Sequence, residues 1–325
     1  MKLWRPEHAI LGPRRPTEKD LPALNRLFSD AFTDRYRRDG LVGVRVPPLN
    51  PQIWHYALRD AGAGAMVWHD EEDNLLAFNV AHCSGLEGWM GPLAVRPDRQ
   101  GLGLGKVVVE AAVEWLKEQH VTTVGLETMP RTVENIGFYS RLGFIPGHLT
   151  VTLTGEIAAN VKSLRPRFLR LSELLAAEQR ELLARCRERL QRSAPGYDYT
   201  RELELTTDLG IGDTIVIETG EVRGFALWHS APLADSRPSD ELRVLKLFAD
   251  SGETFGRLLA VLEACAAKLR IRRVAVRCQT IYPAAYHELT QRGYRVRWTD
   301  LRMTLADYPE RVVPEGEVVF SNWEI

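Results

Sequence analysis

The sequence predicts a mixed α/β protein that lays down one arrangement of strands and helices twice. Three observations carry this reading. Apolar runs of strand character alternate with segments whose apolar residues recur at helical spacing. The stretch Leu93–Lys106 takes an apolar strand through a proline turn into three alternating glycines and then a helix. The order of elements in the first half returns in the second, and at 325 residues the chain has the length of about two domains.

In the first half a short strand leads to Arg14, Arg15 and Pro16, and Thr17–Asp20 starts a helix that turns Leu21, Leu24, Leu27 and Phe28 inward. A second helix is expected over Pro51–Arg59, then strands at Ala65–His69, Leu75–Cys83 and Trp89–Val95. The helix after the glycines runs from Gly103 to Gln119, with Val107, Ala111, Trp115 and Leu116 at helical spacing. Thr122–Glu127 reads as a strand, Val133–Arg141 as a short helix and His148–Leu153 as a further strand.

The second half follows suit. A long helix covers Ser172–Arg192, strands fall at Asp213–Glu218, Val222–Trp228 and Leu242–Phe248, and a helix spans Glu253–Leu269. A strand at Val274–Cys278 and a helix at Pro283–Thr290 come next, and Gly293-Tyr294 echoes Gly143-Phe144. A linker over Gly155–Pro166 divides the chain into domains at 1–157 and 158–325. The end, Val318–Ile325, alternates as a strand does and is expected to clasp one domain to the other.

Glycines at every second position leave backbone N–H groups bare, and a helix start adds unpaired amides and the positive end of its dipole. The loop therefore reads as a cradle for the diphosphate of a nucleotide-like ligand. It is not a Walker A loop, because Gly101 and Gly105 enclose too few residues and Val107 follows Lys106. A dinucleotide fingerprint would need a further glycine where Lys106 or Val108 stands, and it would follow the first strand of its domain rather than the fourth. Glu127 does mimic the ribose-binding acid of such a fold, which keeps nicotinamide-linked reduction as one alternative.

The 42 basic and 43 acidic residues nearly cancel, so no global field draws the chain to nucleic acid or an anionic membrane. Cys83, Cys186, Cys265 and Cys278 have neither the spacing of zinc or redox pairs nor the density of a disulfide scaffold. The eight histidines show no metal-ligand spacing either, so no metal is indicated. The start lacks the apolar core of a signal peptide and no run is long enough to span a bilayer, which predicts a cytoplasmic protein.

Gln100-Gly101-Leu102-Gly103-Leu104-Gly105 resembles motif A of the GNAT superfamily of acetyl-CoA-dependent N-acetyltransferases. Val95-Arg96-Pro97 matches the Val-x-Pro that ends the family's fourth strand, and Phe138-Tyr139-Ser140-Arg141-Leu142-Gly143-Phe144 resembles its Tyr-x-x-x-Gly-Phe segment. The resemblance implies two tandem domains, each a mixed, largely antiparallel sheet flanked by helices. It also implies that the fourth and fifth strands splay apart and that the pantetheine arm of acetyl-CoA lies between them.

Carried onto this sequence, the resemblance assigns coenzyme contacts to Leu93, Ala94, Val95, Arg99, Gln100, Gly101, Leu102, Gly103, Leu104, Gly105, Lys106, Asn135 and Tyr139. The N–H near Leu93 would act as oxyanion donor and Tyr139 as proton donor to the leaving thiolate. Glu87, His82 and Glu127 are candidate bases. Thr132 stands where the family often has an asparagine. Arg35–Asp39 and Trp54, His55 and Tyr56 are candidates for the acceptor cleft, with a charged surface and core packing as their plainer readings.

The second half has Asp250-Ser251-Gly252-Glu253 where the first has its glycines, and Leu289 where the first has Tyr139. Two carboxylates placed where phosphates would sit should repel CoA. The expected function is transfer of an acetyl group to a primary amine of a small molecule or peptide, by a chain that could pair as a homodimer. A non-catalytic acyl-CoA sensor is the alternative from another class.

Overall fold

The computed structural model describes residues 9–157, 168–235 and 237–323. The first half runs β1 (Leu11–Arg14), α1 (Leu21–Arg38), α2 (Pro51–Ala61), β2 (Ala65–His69), β3 (Leu75–Ser84), β4 (Glu87–Val95), α3 (Leu104–Glu118), β5 (Thr123–Thr128), α4 (Val133–Arg141) and β6 (Phe144–Glu156). The second repeats it as β7 (Leu169–Arg170), α5 (Ala176–Ser193), α6 (Thr200–Leu209), β8 (Gly212–Thr219), β9 (Glu221–His229), β10 (Glu241–Ala249), α7 (Gly252–Lys268), β11 (Arg273–Gln279), α8 (Pro283–Gln291) and β12 (Arg295–Leu305). One more strand, β13 (Val318–Ser321), is added at the end. The expected linker lies, from residue 158 to Pro166, outside the described residues, as do Met1–His8 and the last two positions of the expected end strand.

Local chemistry explains the elements. Thr17 N–H donates to the Asp20 carboxylate at 2.6 Å in the turn that opens α1, and Leu24, Leu27, Phe28 and Ala31 recur on its buried stripe. Asn50 caps α2 by accepting from Gln52 N–H at 3.0 Å, with Pro51 in the first turn. On α3 the buried residues are Leu104, Val108, Val109, Ala112 and Leu116, whereas Val107 is exposed. The helix is therefore rotated by about one residue, some 100°, from the phase read in the sequence. Each fully buried leucine or phenylalanine on such a face contributes about 1.5–3 kcal/mol.

The strands form one continuous sheet in the order β1-β2-β3-β4-β5-β12-β6-β11-β10-β9-β8-β7, with β13 paired to β10. All neighbours are antiparallel except β4 with β5 and β10 with β11. Each half gives its last strand away: β12 of the second half pairs with β5 of the first, and β6 of the first half pairs with β11 of the second. β12 and β6 pair with each other at the centre, from Arg295 opposite Thr154 to Leu305 opposite Phe144.

A buried polar cluster also joins the halves. Lys246 on β10 is 1 % exposed and donates to Ser321 Oγ at 2.9 Å and Ser84 Oγ at 3.2 Å. Its ammonium sits 3.7 Å from the Trp323 ring centroid, and Glu202 lies 3.8 Å away. Trp323 in turn faces His82 and Trp89 of the first half, so the chain end does reach across, while β13 itself pairs inside the second half.

Candidate active site

β4 and β5 pair in parallel from Glu87 opposite Thr123 to Met90 opposite Leu126, and then diverge. The pairing of β3 with β4 jumps at the same point, where Ala81 faces Met90 and Asn79 faces Leu93, so Gly91 and Pro92 form a bulge that turns the strand away from β5. Arg96 N–H donates to the Leu76 carbonyl on β3 at 2.8 Å. Antiparallel alternation then directs the amides of Ala94 and Arg96 at β3 and leaves those of Leu93 and Val95 facing the wedge.

The glycine loop closes one end of the wedge. Gly101 and Gly103 have φ of +78° and +87°, a region costly for residues with a Cβ, and nothing lies within 4 Å of where a Cβ would stand. Gln100 Nε2 donates to the Val95 carbonyl at 3.0 Å and ties the loop to the end of β4. Gly103 is the N-cap of α3, so the unpaired amides of its first turn face the loop.

A cleft of about 760 Å³ runs from this loop through the wedge to α1 and β12. Of the coenzyme contacts expected from the sequence, Leu93, Ala94, Val95, Gln100, Gly101, Gly103, Lys106, Gly105, Asn135 and Tyr139 line it. Arg99, Leu102 and Leu104 do not; Leu104 is buried under the helix and Leu102 is exposed. Tyr139 is half-buried, its ring 5.1 Å from that of Phe138 and 6.1 Å from that of Phe144. Burial pushes its phenol up to about 12, so at neutral pH it keeps its proton.

The candidate bases separate. Glu87 does not line the cleft: it is fully buried, accepts from Trp89 Nε1 at 2.8 Å and from Ser321 Oγ at 2.6 Å, and is raised by burial. β4 begins at Glu87, and the second half covers that end. His82 is also buried, 2.7 Å from Asp60. Glu127 does line the cleft, accepting from Thr150 Oγ1 at 2.6 Å and Arg302 Nη1 at 2.7 Å and pairing with Arg277. Burial would raise its carboxyl, but Arg277 and Arg302 hold it below the usual range.

Arg35, Tyr36 and Arg38 line the cleft from α1, with Arg35 held by Asp39 at 2.5 Å and Arg38 by Asp34 at 2.6 Å. Thr132 is buried and donates to Asp39 at 2.6 Å, so it joins α4 to α1. None of Trp54, His55 and Tyr56 lines the cleft: Trp54 is core, and Tyr56 packs edge-on against His229 of the second half. Sequence reasoning missed Trp298 and Asp300, which enter the cleft on the exchanged strand β12. Their alternation on one strand face was the only local signal.

The matching wedge of the second half is filled. β10 pairs with β11 from Glu241 to Val244 and then with β13, from Lys246 opposite Ser321 to Ala249 opposite Val318. At the start of α7, Ser251 accepts from Thr254 N–H at 3.2 Å, and Asp250 accepts from Thr254 Oγ1 at 2.7 Å and pairs with Arg223 at 2.6 Å. Among the described residues no helix is long and apolar enough to cross a membrane, and no group of three or more His, Cys, Asp or Glu could hold a metal ion.

Residues 22–144 match the acetyltransferase (GNAT) family. An uncharacterized N-acetyltransferase, ycf52, of Pyropia yezoensis is 37% identical over 77 residues, which are 23% of this chain and 42% of that protein. Serotonin N-acetyltransferase 2, chloroplastic, of Oryza sativa subsp. japonica is 30% identical over 131 residues, 40% of this chain and 59% of that protein. The matches thus span about half the length of these curated relatives. A solved structure of a Pyrococcus horikoshii protein assigned as an acetyltransferase superposes over 99% of this chain and 96% of its own, with a TM-score of 0.69 at 16% identity, which extends the fold likeness to both halves. The glycine loop, the splayed strands and Tyr139 all lie within the stretch that matches the acetyltransferase (GNAT) family.

Proposed function

We propose that the chain is an acetyl-CoA-dependent N-acetyltransferase that acylates a primary amine of a small molecule or peptide in the cytoplasm. The observation that carries this is the single cleft joining a bare glycine loop, two unpaired strand amides and a protonated tyrosine. The loop from Gln100 to Lys106 and the first turn of α3 offer N–H groups to a diphosphate. The amides of Leu93 and Val95 offer an extended partner the pairing that β5 has given up, and Leu93 N–H polarises the acyl carbonyl. Acetyl-CoA supplies the activated acyl group.

An acceptor that arrives as an ammonium first gives one proton to solvent. The neutral nitrogen then attacks the thioester carbon, the carbon–sulfur bond breaks, Tyr139 supplies a proton toward the departing thiolate, and the proton the nitrogen sheds returns through water to the tyrosine oxygen. Glu87 has no part in this reaction, since its carboxylate is occupied away from the cleft. The second half holds no coenzyme in this reading. The acceptor class agrees with the rice relative, which is named for serotonin, a primary amine. The test is calorimetry with acetyl-CoA together with release of the CoA thiol across a panel of primary amines. Binding plus amine-dependent release is expected. Firm binding without transfer to any amine would favour an acyl-CoA sensor, and the absence of binding would remove both readings.

A further inference from the structure

The acceptor end of the cleft is framed by residues from both halves. Phe32 and Tyr36 come from α1, Glu127 from β5, and Trp298 and Asp300 from β12. Arg302 stands opposite Glu127 and Leu301 opposite Thr128, so Asp300 lies one residue past the paired stretch, where β12 leaves β5 for the cleft. The rings of Tyr36 and Trp298 are 5.9 Å apart, and Trp298 Nε1 donates to Asp300 Oδ1 at 3.0 Å.

Asp300 also ends a chain of ion pairs. Arg277 reaches Asp300 Oδ2 at 3.0 Å and Glu127; Arg302 reaches Glu127 at 2.7 Å and Glu310 at 2.8 Å. Three carboxylates therefore share two guanidinium groups, and the chain is short of one cation. Asp300 and Glu127 line the cleft, whereas neither arginine is among its described lining residues. Asp34, Arg35 and Arg38, which also line the cleft, are paired along α1, with Asp39 and, for Arg35, with Glu134 of α4 at 3.5 Å. A carboxylate at the open end of such a chain, beside two aromatic rings, suits an ammonium group joined to a flat apolar body.

We propose that Asp300 is the residue that selects the acceptor, holding the ammonium of an aryl or apolar primary amine whose body lies against Tyr36 and Trp298. The inference rests on the reading of the cleft as an acetyl-transfer site and deepens it. It makes the second half, which lends β12, a part of the acceptor subsite. An acceptor with a carboxylate beside its amine brings a second negative charge to the same end and is disfavoured.

The test is calorimetry on the full chain saturated with CoA, with phenethylamine and phenylalanine as probes. Phenethylamine is expected to bind and phenylalanine to bind at least about tenfold more weakly. Asp300→Asn is expected to weaken phenethylamine about tenfold or more while the affinity for acetyl-CoA stays unchanged. The pH profile supplies a readout that mere structural damage would not give. Burial raises the Asp300 carboxyl to about 6, opposed by Arg277 and aided by Glu127. Of the groups facing it, Glu127 on β5 is held below the usual range, Tyr36 on α1 is raised by burial, Arg302 is raised, against its burial, by Glu310 and Glu127, and Arg277 is the cation paired with it at 3.0 Å.

Phenethylamine affinity should therefore fall as pH drops through about 6, by about tenfold at pH 5, and the Asn variant should show no such limb. Equal binding by the Asn variant, a flat wild-type profile, or no amine binding by a protein that does bind CoA overturns the inference. If the Asn variant fails to fold, the wild-type profile decides alone. Failure to bind CoA at all would instead sink the proposed function, so the two failures are distinguishable.

Discussion

Tyr139→Phe removes one hydroxyl from the cleft and leaves the ring that packs between Phe138 and Phe144. General acids contribute about 10²–10⁴ in rate, most when their pKa lies near the working pH. Burial places this phenol near 12, well above a thiol, so full proton transfer to the thiolate is uphill and the donor works by a hydrogen bond that strengthens as charge develops. The expected loss therefore sits at the low end, about a hundredfold in kcat, or about 2.7 kcal/mol of barrier. Acetyl-CoA affinity should be unchanged within about twofold, because the glycine loop and the strand amides are untouched. The assay is steady-state release of the CoA thiol at saturating acetyl-CoA, paired with calorimetry for the donor. A kcat within twofold of wild type, with donor affinity preserved, refutes the assignment of Tyr139 as proton donor.

Two further perturbations probe the loop and the join between the halves. Gly103→Ala makes the backbone at φ +87° about 1–2 kcal/mol less favourable; the free loop relieves that strain by leaving the cradle conformation and must recover it to bind, so calorimetry should report roughly tenfold weaker acetyl-CoA binding with little change in melting temperature. Glu202 is raised by burial and by Asp60 to about 7, so its stabilising contribution is complete below the unfolded value near 4.5 and is lost as pH rises through about 7. Wild type should thus lose stability against Glu202→Gln between pH 5 and pH 8, on the order of 2 kcal/mol, and parallel melting curves across that range would contradict it.

What the sequence made legible is what is local in it. β2 at Ala65–His69 and α4 at Val133–Arg141 fall where their periodicity places them, and the glycine loop declares itself within a dozen residues because its chemistry needs consecutive backbone groups. The exchange of β6 and β12 is a pairing between residues as distant as Arg302 and Glu127, and no local pattern encodes which sheet a strand joins. Glu87 misled for the same reason: as a strand-end acid it promised solvent, but the second half buries that end. Asp300 is hidden in turn because nothing about a strand aspartate shows that its strand will cross to the other half. Val107 in place of Val108 is a smaller error, a helical phase shifted by one residue.

The two wedges form an internal comparison. Each half splays a parallel strand pair at the same point of the same topology, and a strand that leaves its neighbour inside a fold has backbone groups that need partners. In the second half the chain meets that need itself: β13 runs beside Lys246–Ala249, and Asn322 N–H donates to the Leu245 carbonyl at 3.0 Å. There the helix start is likewise satisfied from within, by Ser251, whose Oγ accepts from Thr254 N–H. In the first half β4 receives no such strand after Met90 among the described residues, and its helix start follows Gly101 and Gly103, which carry no side chain to cap it. An extended molecule with amide groups along its length and an acceptor-rich anion at its end answers both needs at once, as β13 and the Ser251 hydroxyl do in the other half. The sequence that fills one wedge thereby defines, by its shape and its polar groups, what the open wedge is built to take.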